Sequence, residues 1–132
     1  MQISTRIKTM TAIGIGGAIG AMGRYCISFI FTAKGFPFAT LCANLLGCFL
    51  LSLLLNHKQI KERLSPALFT ALTTGLIGSF TTFSTFAVET IELWSNNVLL
   101  AIMYVLLSII GGLLFCYMGY QFSIHTRKKA EV

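Results

Sequence analysis

Gly75-Leu76-Ile77-Gly78-Ser79-Phe80-Thr81-Thr82-Phe83-Ser84-Thr85-Phe86 places two glycines and five hydroxyl side chains inside a tract long enough to cross a bilayer. Hydrocarbon offers no water to backbone groups, so polar or irregular backbone at that depth must face protein or a wet cavity. Gly75 and Gly78 each weaken a helix, and Ser79, Thr81 and Thr82 can satisfy backbone groups that a break releases. A break near Gly78 and Thr81 exposes carbonyl oxygens, which suit a hard cation. Beyond it, Phe83 and Phe86 are i,i+3 neighbours interleaved with Ser84 and Thr85, and Thr85 meets Glu89 one turn on. Aromatic pairs at this spacing usually just pack; the interleaved hydroxyls argue for a further role.

Other polar side chains stand alone in apolar surroundings. Thr40, Asn44 and Gly47 or Cys48 share one helical face. The Asn44 amide can donate two hydrogen bonds and accept others; by position alone, an interhelical tie is its simplest role. Gly16, Gly20 and Arg24 recur every four residues, joining a small-residue stripe to a cation. Small residues let helices approach closely, and an intramembrane Arg must face the bundle, a partner or a wet vestibule. Arg24 is either a clamp on backbone carbonyls or an electrostatic attractor of anions. Tyr104 and Ser108 lie one turn apart, and Gly111, Gly112 and Gly119 continue that side of the helix. Cys26, Cys42, Cys48 and Cys116 have no metal-ligand spacing and read as small core residues. His57 and His125 fall at membrane boundaries and are expected to be solvated.

These residues need helices to hold them at depth. The chain has 132 residues, 55% hydrophobic and 11% charged, a composition that cannot cover a soluble surface. At about 20 residues per crossing, the apolar tracts give four spans near 9–32, 37–56, 65–93 and 97–124. The fold class is therefore an all-α membrane protein, one four-helix unit over residues 1–132, with short connections and antiparallel neighbours. Arg6 and Lys8 before an apolar run could begin a cleaved signal peptide, but the run continues to Phe31 and reads as a retained span. The net charge of +6 comes from residues gathered at membrane edges rather than a basic stripe, which argues against nucleic-acid binding. Arg127-Lys128-Lys129 reads as a membrane-surface anchor. With four spans, Arg6, Lys8, Lys58, Lys61, Arg63, Arg127, Lys128 and Lys129 fall on one side and only Lys34 on the other. This eight-to-one bias predicts both termini in the cytoplasm.

Together the motifs resemble the Fluc (CrcB) family of fluoride channels along nearly the whole chain. Gly16-Gly17-x-x-Gly20-Ala21-x-x-Arg24-Tyr25 is similar to the first-span signature, and Thr40-Leu41-x-x-Asn44-x-x-Gly47 to the second. The most specific match is Gly75-x-x-Gly78-x-x-Thr81-Thr82-Phe83-Ser84-Thr85-Phe86. The resemblance implies an antiparallel, dual-topology-type dimer in the cell membrane, with two pores and broken third helices crossing at its centre. It implies a structural sodium ion (Na+) held by the backbone carbonyls of Gly78 and Thr81. It assigns Phe83 and Phe86 as ring edges toward fluoride, Asn44 as a hydrogen-bond donor to it, and Ser84 and Thr85 as a polar track. Tyr104 and Ser108 match positions that line the pore in some members, and Thr40 stands in the second-span signature. The activity implied is passive export of fluoride that entered as neutral hydrogen fluoride and ionised in the cytoplasm.

That chemistry is physically sensible. A phenyl ring has a positive edge, hydroxyl and amide donors replace hydration water, and conduction needs sites strong enough to admit an ion and weak enough to release it. Ala39 and Gly112 depart from residues common in the family, a glycine and a pore-facing serine. The charge bias is the larger departure, because it fixes one orientation. An antiparallel dimer then calls for a related subunit of opposite orientation, although a homodimer is the family's other arrangement. Two competing readings are a small multidrug-type cation exporter and a non-conducting scaffold or partner subunit. The exporter needs an acidic residue in span one, which has none; the intact Asn44, Phe83 and Phe86 argue against a degenerate subunit. No nucleophile and base pair, metal cluster or phosphate loop points to an enzyme.

Overall fold

A computed structural model describes residues 2–31 and 35–130, with side chains over 3–31 and 35–126. Lys34 and the side chains of Arg127, Lys128 and Lys129 therefore lie outside the described residues, as does Thr32 at the expected end of span one. The described chain is all helical. In order it forms α1 (Gln2–Ile30), α2 (Phe38–Asn56), α3 (Lys58–Arg63), α4 (Pro66–Thr70), a wide π-helical stretch (Ala71–Ile77), α5 (Gly78–Phe80), α6 (Ser84–Asn96) and α7 (Val98–Ala130).

Four segments are long and apolar enough to cross a membrane: Ile3–Ile30, Phe38–Asn56, Pro66–Asn96 and Val98–Thr126. The chain is thus a multi-pass membrane protein. The first helix starts earlier than hydropathy alone suggests, because no Pro or Gly interrupts the chain before Gly14. The third starts where expected: the Ser65 hydroxyl accepts from the Leu68 N–H at 3.3 Å and Pro66 occupies the first turn.

The closest packing joins alternate spans rather than chain neighbours. Along α1, Ile13 lies against Gly75, Gly20 against Leu76 and Gly23 beside Phe80, so α1 and the first half of span three run parallel. Along α2, Leu45 meets Gly111, Ser52 meets Cys116 and Leu53 meets Gly119, so α2 and α7 are a second parallel pair. Glycines set both seams. A Cβ at Gly75 would sit 2.6 Å from the Ile13 carbonyl oxygen, and one at Gly20 would collide with the Leu76 carbonyl. Because backbone opposes backbone there, nothing flexible can yield. Gly20→Ala is therefore expected to destabilise the protein by about 1–3 kcal/mol, read as a lower unfolding temperature in detergent. Gly112→Ala should be silent in the same measurement, since its Cβ would rest 3.6 Å from Cys48 Sγ.

Span three changes partners halfway. Its first half packs on α1, whereas α6 packs on α7. Between them the backbone leaves helical geometry at Thr81 (φ −82°, ψ 158°). A small core of Leu41, Leu93, Ala101 and Tyr104 closes the α2–α6–α7 contact. His57, expected in solvent, is instead buried at the end of α2, while His125 is exposed as expected.

Candidate functional site

The 81–83 junction is held from outside its own helix. Asn44 on α2 grips the backbone of Thr82 with both ends of its amide. Its Nδ2 donates to the Thr82 carbonyl at 3.0 Å, and its Oδ1 accepts from the Thr82 N–H at 2.8 Å. The sequence offered Asn44 as an interhelical tie or a ligand group; the amide makes the tie and retains a second N–H for another partner. The Thr82 hydroxyl caps α6, accepting from the Thr85 N–H at 3.2 Å, and it also contacts Thr85 Oγ1 at 3.0 Å and Ser84 Oγ at 3.3 Å. Thr82, Ser84 and Thr85 thus form one continuous hydroxyl cluster.

These bonds redirect two donors. In an unbroken helix the N–H of Thr82 would reach the Gly78 carbonyl and that of Thr85 the Thr81 carbonyl. Here the first goes to Asn44 and the second to the Thr82 hydroxyl. The carbonyl oxygens of Gly78 and Thr81 are thereby left without their helical donors, as a carbonyl-ligated cation requires. Among the described residues there is no cluster of three His, Cys, Asp or Glu side chains. Gly47 lets α2 come close: a Cβ there would collide with the Thr81 methyl.

Around the junction lies a groove of about 440 Å³, lined by Asn44, Gly78, Thr81, Thr82, Phe83, Phe86 and Ser108 among others. Phe83 is 80% exposed, while Phe86 is half-buried, 6.0 Å from the Phe83 ring and 5.1 Å from that of Tyr104. A second groove of about 370 Å³ holds Arg24, Thr40, Thr82, Thr85 and Glu89. Thr82 lines both. Arg24 lines that groove together with Glu89, and the ion pair found among the described residues is Lys58–Glu62, at 3.8 Å. Arg24 is half-buried.

Tyr104 is fully buried, and its hydroxyl donates to Glu89 Oε2 at 2.8 Å. Thr40 donates to Glu89 Oε1, also at 2.8 Å. Glu89 thus ties α2, α6 and α7 together. Sequence reasoning noted it one turn beyond Thr85 and gave it no role; the rule that intramembrane acids are functional by default would have found it. Of the expected site residues, the first groove gathers Asn44, Gly78, Thr81, Phe83, Phe86 and Ser108, and the second Arg24, Thr40 and Thr85. Ser84 reaches the set through Thr82, and Tyr104 through Phe86 and Glu89.

Asn44→Ala would leave the N–H and carbonyl of Thr82 without partners, at about 1–3 kcal/mol for each group kept dry. It is expected to lower the unfolding temperature in detergent. Asn44→Gln, whose longer arm misplaces both bonds, should do the same.

A family model described as CrcB-like protein, Camphor Resistance (CrcB), matches residues 11–120. The chain is 47% identical over 112 residues to the fluoride-specific ion channel FluC 2 of Listeria innocua, covering 84% of this chain and 87% of that one. It is 50% identical over 111 residues to the fluoride-specific ion channel FluC 1 of Desulfitobacterium hafniense, covering 83% and 97%. It is 44% identical over 108 residues to the fluoride-specific ion channel FluC 1 of Staphylococcus aureus, covering 81% and 89%.

Proposed function

The chain belongs to the CrcB family, and from that premise we propose that it is a subunit of a fluoride-specific channel that lets the anion leave the cytoplasm passively. One observation carries this reading. The groove beside the Asn44–Thr82 clamp collects an amide, hydroxyls and two phenyl rings, with no acidic side chain on its wall. Small dehydrated anions need donors of this kind.

Each group has a task. Arg24 in the neighbouring groove raises the local anion concentration. The Thr82, Ser84 and Thr85 hydroxyls replace hydration water as the ion sheds it. The second N–H of Asn44 and the ring edges of Phe83 and Phe86 then stabilise it weakly enough for release. None of these contacts is a buried Lys or Arg, which would hold the ion too long.

The groove is open on one side, with Asn44, Thr82 and Ser108 on its wall. At membrane depth such a wall needs a cover of protein or water. A second subunit packed antiparallel supplies it and makes a pore at each of two equivalent grooves. The freed carbonyls of Gly78 and Thr81, with those of the partner, would hold a sodium ion. That ion supplies a fixed positive charge near the pores. The charge bias puts both termini in the cytoplasm and favours an oppositely oriented relative as the partner.

Fluoride efflux from liposomes tests the reading. Vesicles holding the chain with a relative of opposite charge bias should release fluoride far faster than protein-free vesicles, and should not release chloride. Release of toxic cations instead would establish the exporter reading.

A further inference from the structure

The α2–α7 seam is tied by polar groups at two levels and carries unpartnered ones at a third. At one end Thr40 and Tyr104 share Glu89. Midway, the Ser52 hydroxyl donates to the Cys116 carbonyl at 2.7 Å. At the far end two side-chain atoms, His57 Nδ1 and Ser123 Oγ, are buried without a hydrogen-bond partner among the described residues. His57 is 9% exposed and Ser123 1%.

The register brings these two residues to the same level of the seam. The helices run parallel, and a Cβ at Gly119 would lie 3.2 Å from the Leu53 nitrogen. One turn further, α7 reaches Ser123. One turn further on α2 lies His57, whose N–H still bonds the Leu53 carbonyl at 3.0 Å. A buried hydroxyl or imidazole nitrogen left unpaired costs about 1–3 kcal/mol, and most buried polar atoms have partners. Two such atoms at the same level of one seam point to one shared partner.

We propose that His57 and Ser123 form a binding site for a single buried water at the end of the α2–α7 seam. The Ser123 hydroxyl bonds the water, and the water donates to Nδ1 of a neutral His57 whose proton is on Nε2. The bridge fastens the point where α3 leaves α2 to the last turns of α7. It thereby holds the far end of the helix pair that presents Asn44 and Ser108 to the groove. The inference rests on the packing of α2 against α7 and is independent of what the channel conducts.

The test uses the full-length protein labelled with 15N-histidine, with His125→Gln to assign the signals. His57 is expected as the Nε2–H tautomer, with cross-relaxation from a bound water to the ring C–H beside Nδ1. An Nδ1–H tautomer, or a ring without that water signal, overturns the site. Stability gives a second reading. His57→Phe and Ser123→Ala should each lower the unfolding temperature by a few degrees, and the double variant should lose no more than the worse single. Additive losses overturn the bridge. Should His57→Phe fail to fold, the tautomer and water signal in the otherwise native chain still decide the matter.

Discussion

Phe86→Ile is expected to cut fluoride efflux at least about tenfold, the effect of raising the barrier by about 1.4 kcal/mol, while leaving the assembly intact. Phe86 occupies the middle of a row of rings, 6.0 Å from Phe83 and 5.1 Å from Tyr104, and lines the groove beside Asn44. Isoleucine keeps an apolar side chain of comparable bulk but removes the positive C–H edge that a fluoride ion would meet. The subunit contact should survive, so size-exclusion chromatography should give the same elution volume as the native channel. Phe29→Ile is the control: Phe29 is 65% exposed on α1 and lines neither groove, although its ring partner Tyr25 lines the second. Equal flux from Phe86→Ile and the native protein would remove the ring from the conduction pathway. Equal losses from Phe86→Ile and Phe29→Ile would mean that flux reports only stability.

The second large effect concerns assembly. Reconstituted alone, this chain should conduct little; reconstituted with a family relative whose loop charges are reversed, it should conduct well. Eight positive residues stand on one predicted side and one on the other. Even about 4 kcal/mol of orientational preference leaves inverted copies near one in a thousand. Antiparallel pairs of identical chains would then be scarce in a native membrane. Moving the bias should rescue self-assembly: Lys58→Gln, Lys61→Gln and Arg63→Gln together, on exposed positions of α3, should raise single-chain flux. Robust fluoride efflux from the unaltered chain, expressed and purified alone, would falsify the requirement for a different partner.

Much of this molecule was legible in its sequence. Hydropathy located all four spans, because the transfer of each side chain into lipid depends mainly on that side chain. Ser65 and Pro66 marked the start of span three through a local cap. The Gly75 to Phe86 stretch announced itself because polar groups at that depth are costly wherever they fall. Legibility stopped where an outcome depended on distant segments meeting. Asn44 could be read as a tie or a ligand group, and only packing put its amide against both polar groups of Thr82. Arg24 could be read only as a cation at depth, and packing put it in one groove with Thr40, Thr85 and Glu89. His57 looked like a boundary residue in solvent, yet packing buries it at the end of α2.

The sequence by itself determined that the chain crosses a membrane four times, which side its charges favour, and which residues could meet an anion. Tertiary structure alone decided the pairing of alternate spans and the change of partner in span three. It also decided the placement of Glu89 between Thr40 and Tyr104 and the release of the Gly78 and Thr81 carbonyls from their helical donors. The division has one physical cause. Solvation and charge act residue by residue and leave a linear record. A backbone donor's choice of acceptor depends on what another helix brings within about 3 Å, and no local pattern encodes that.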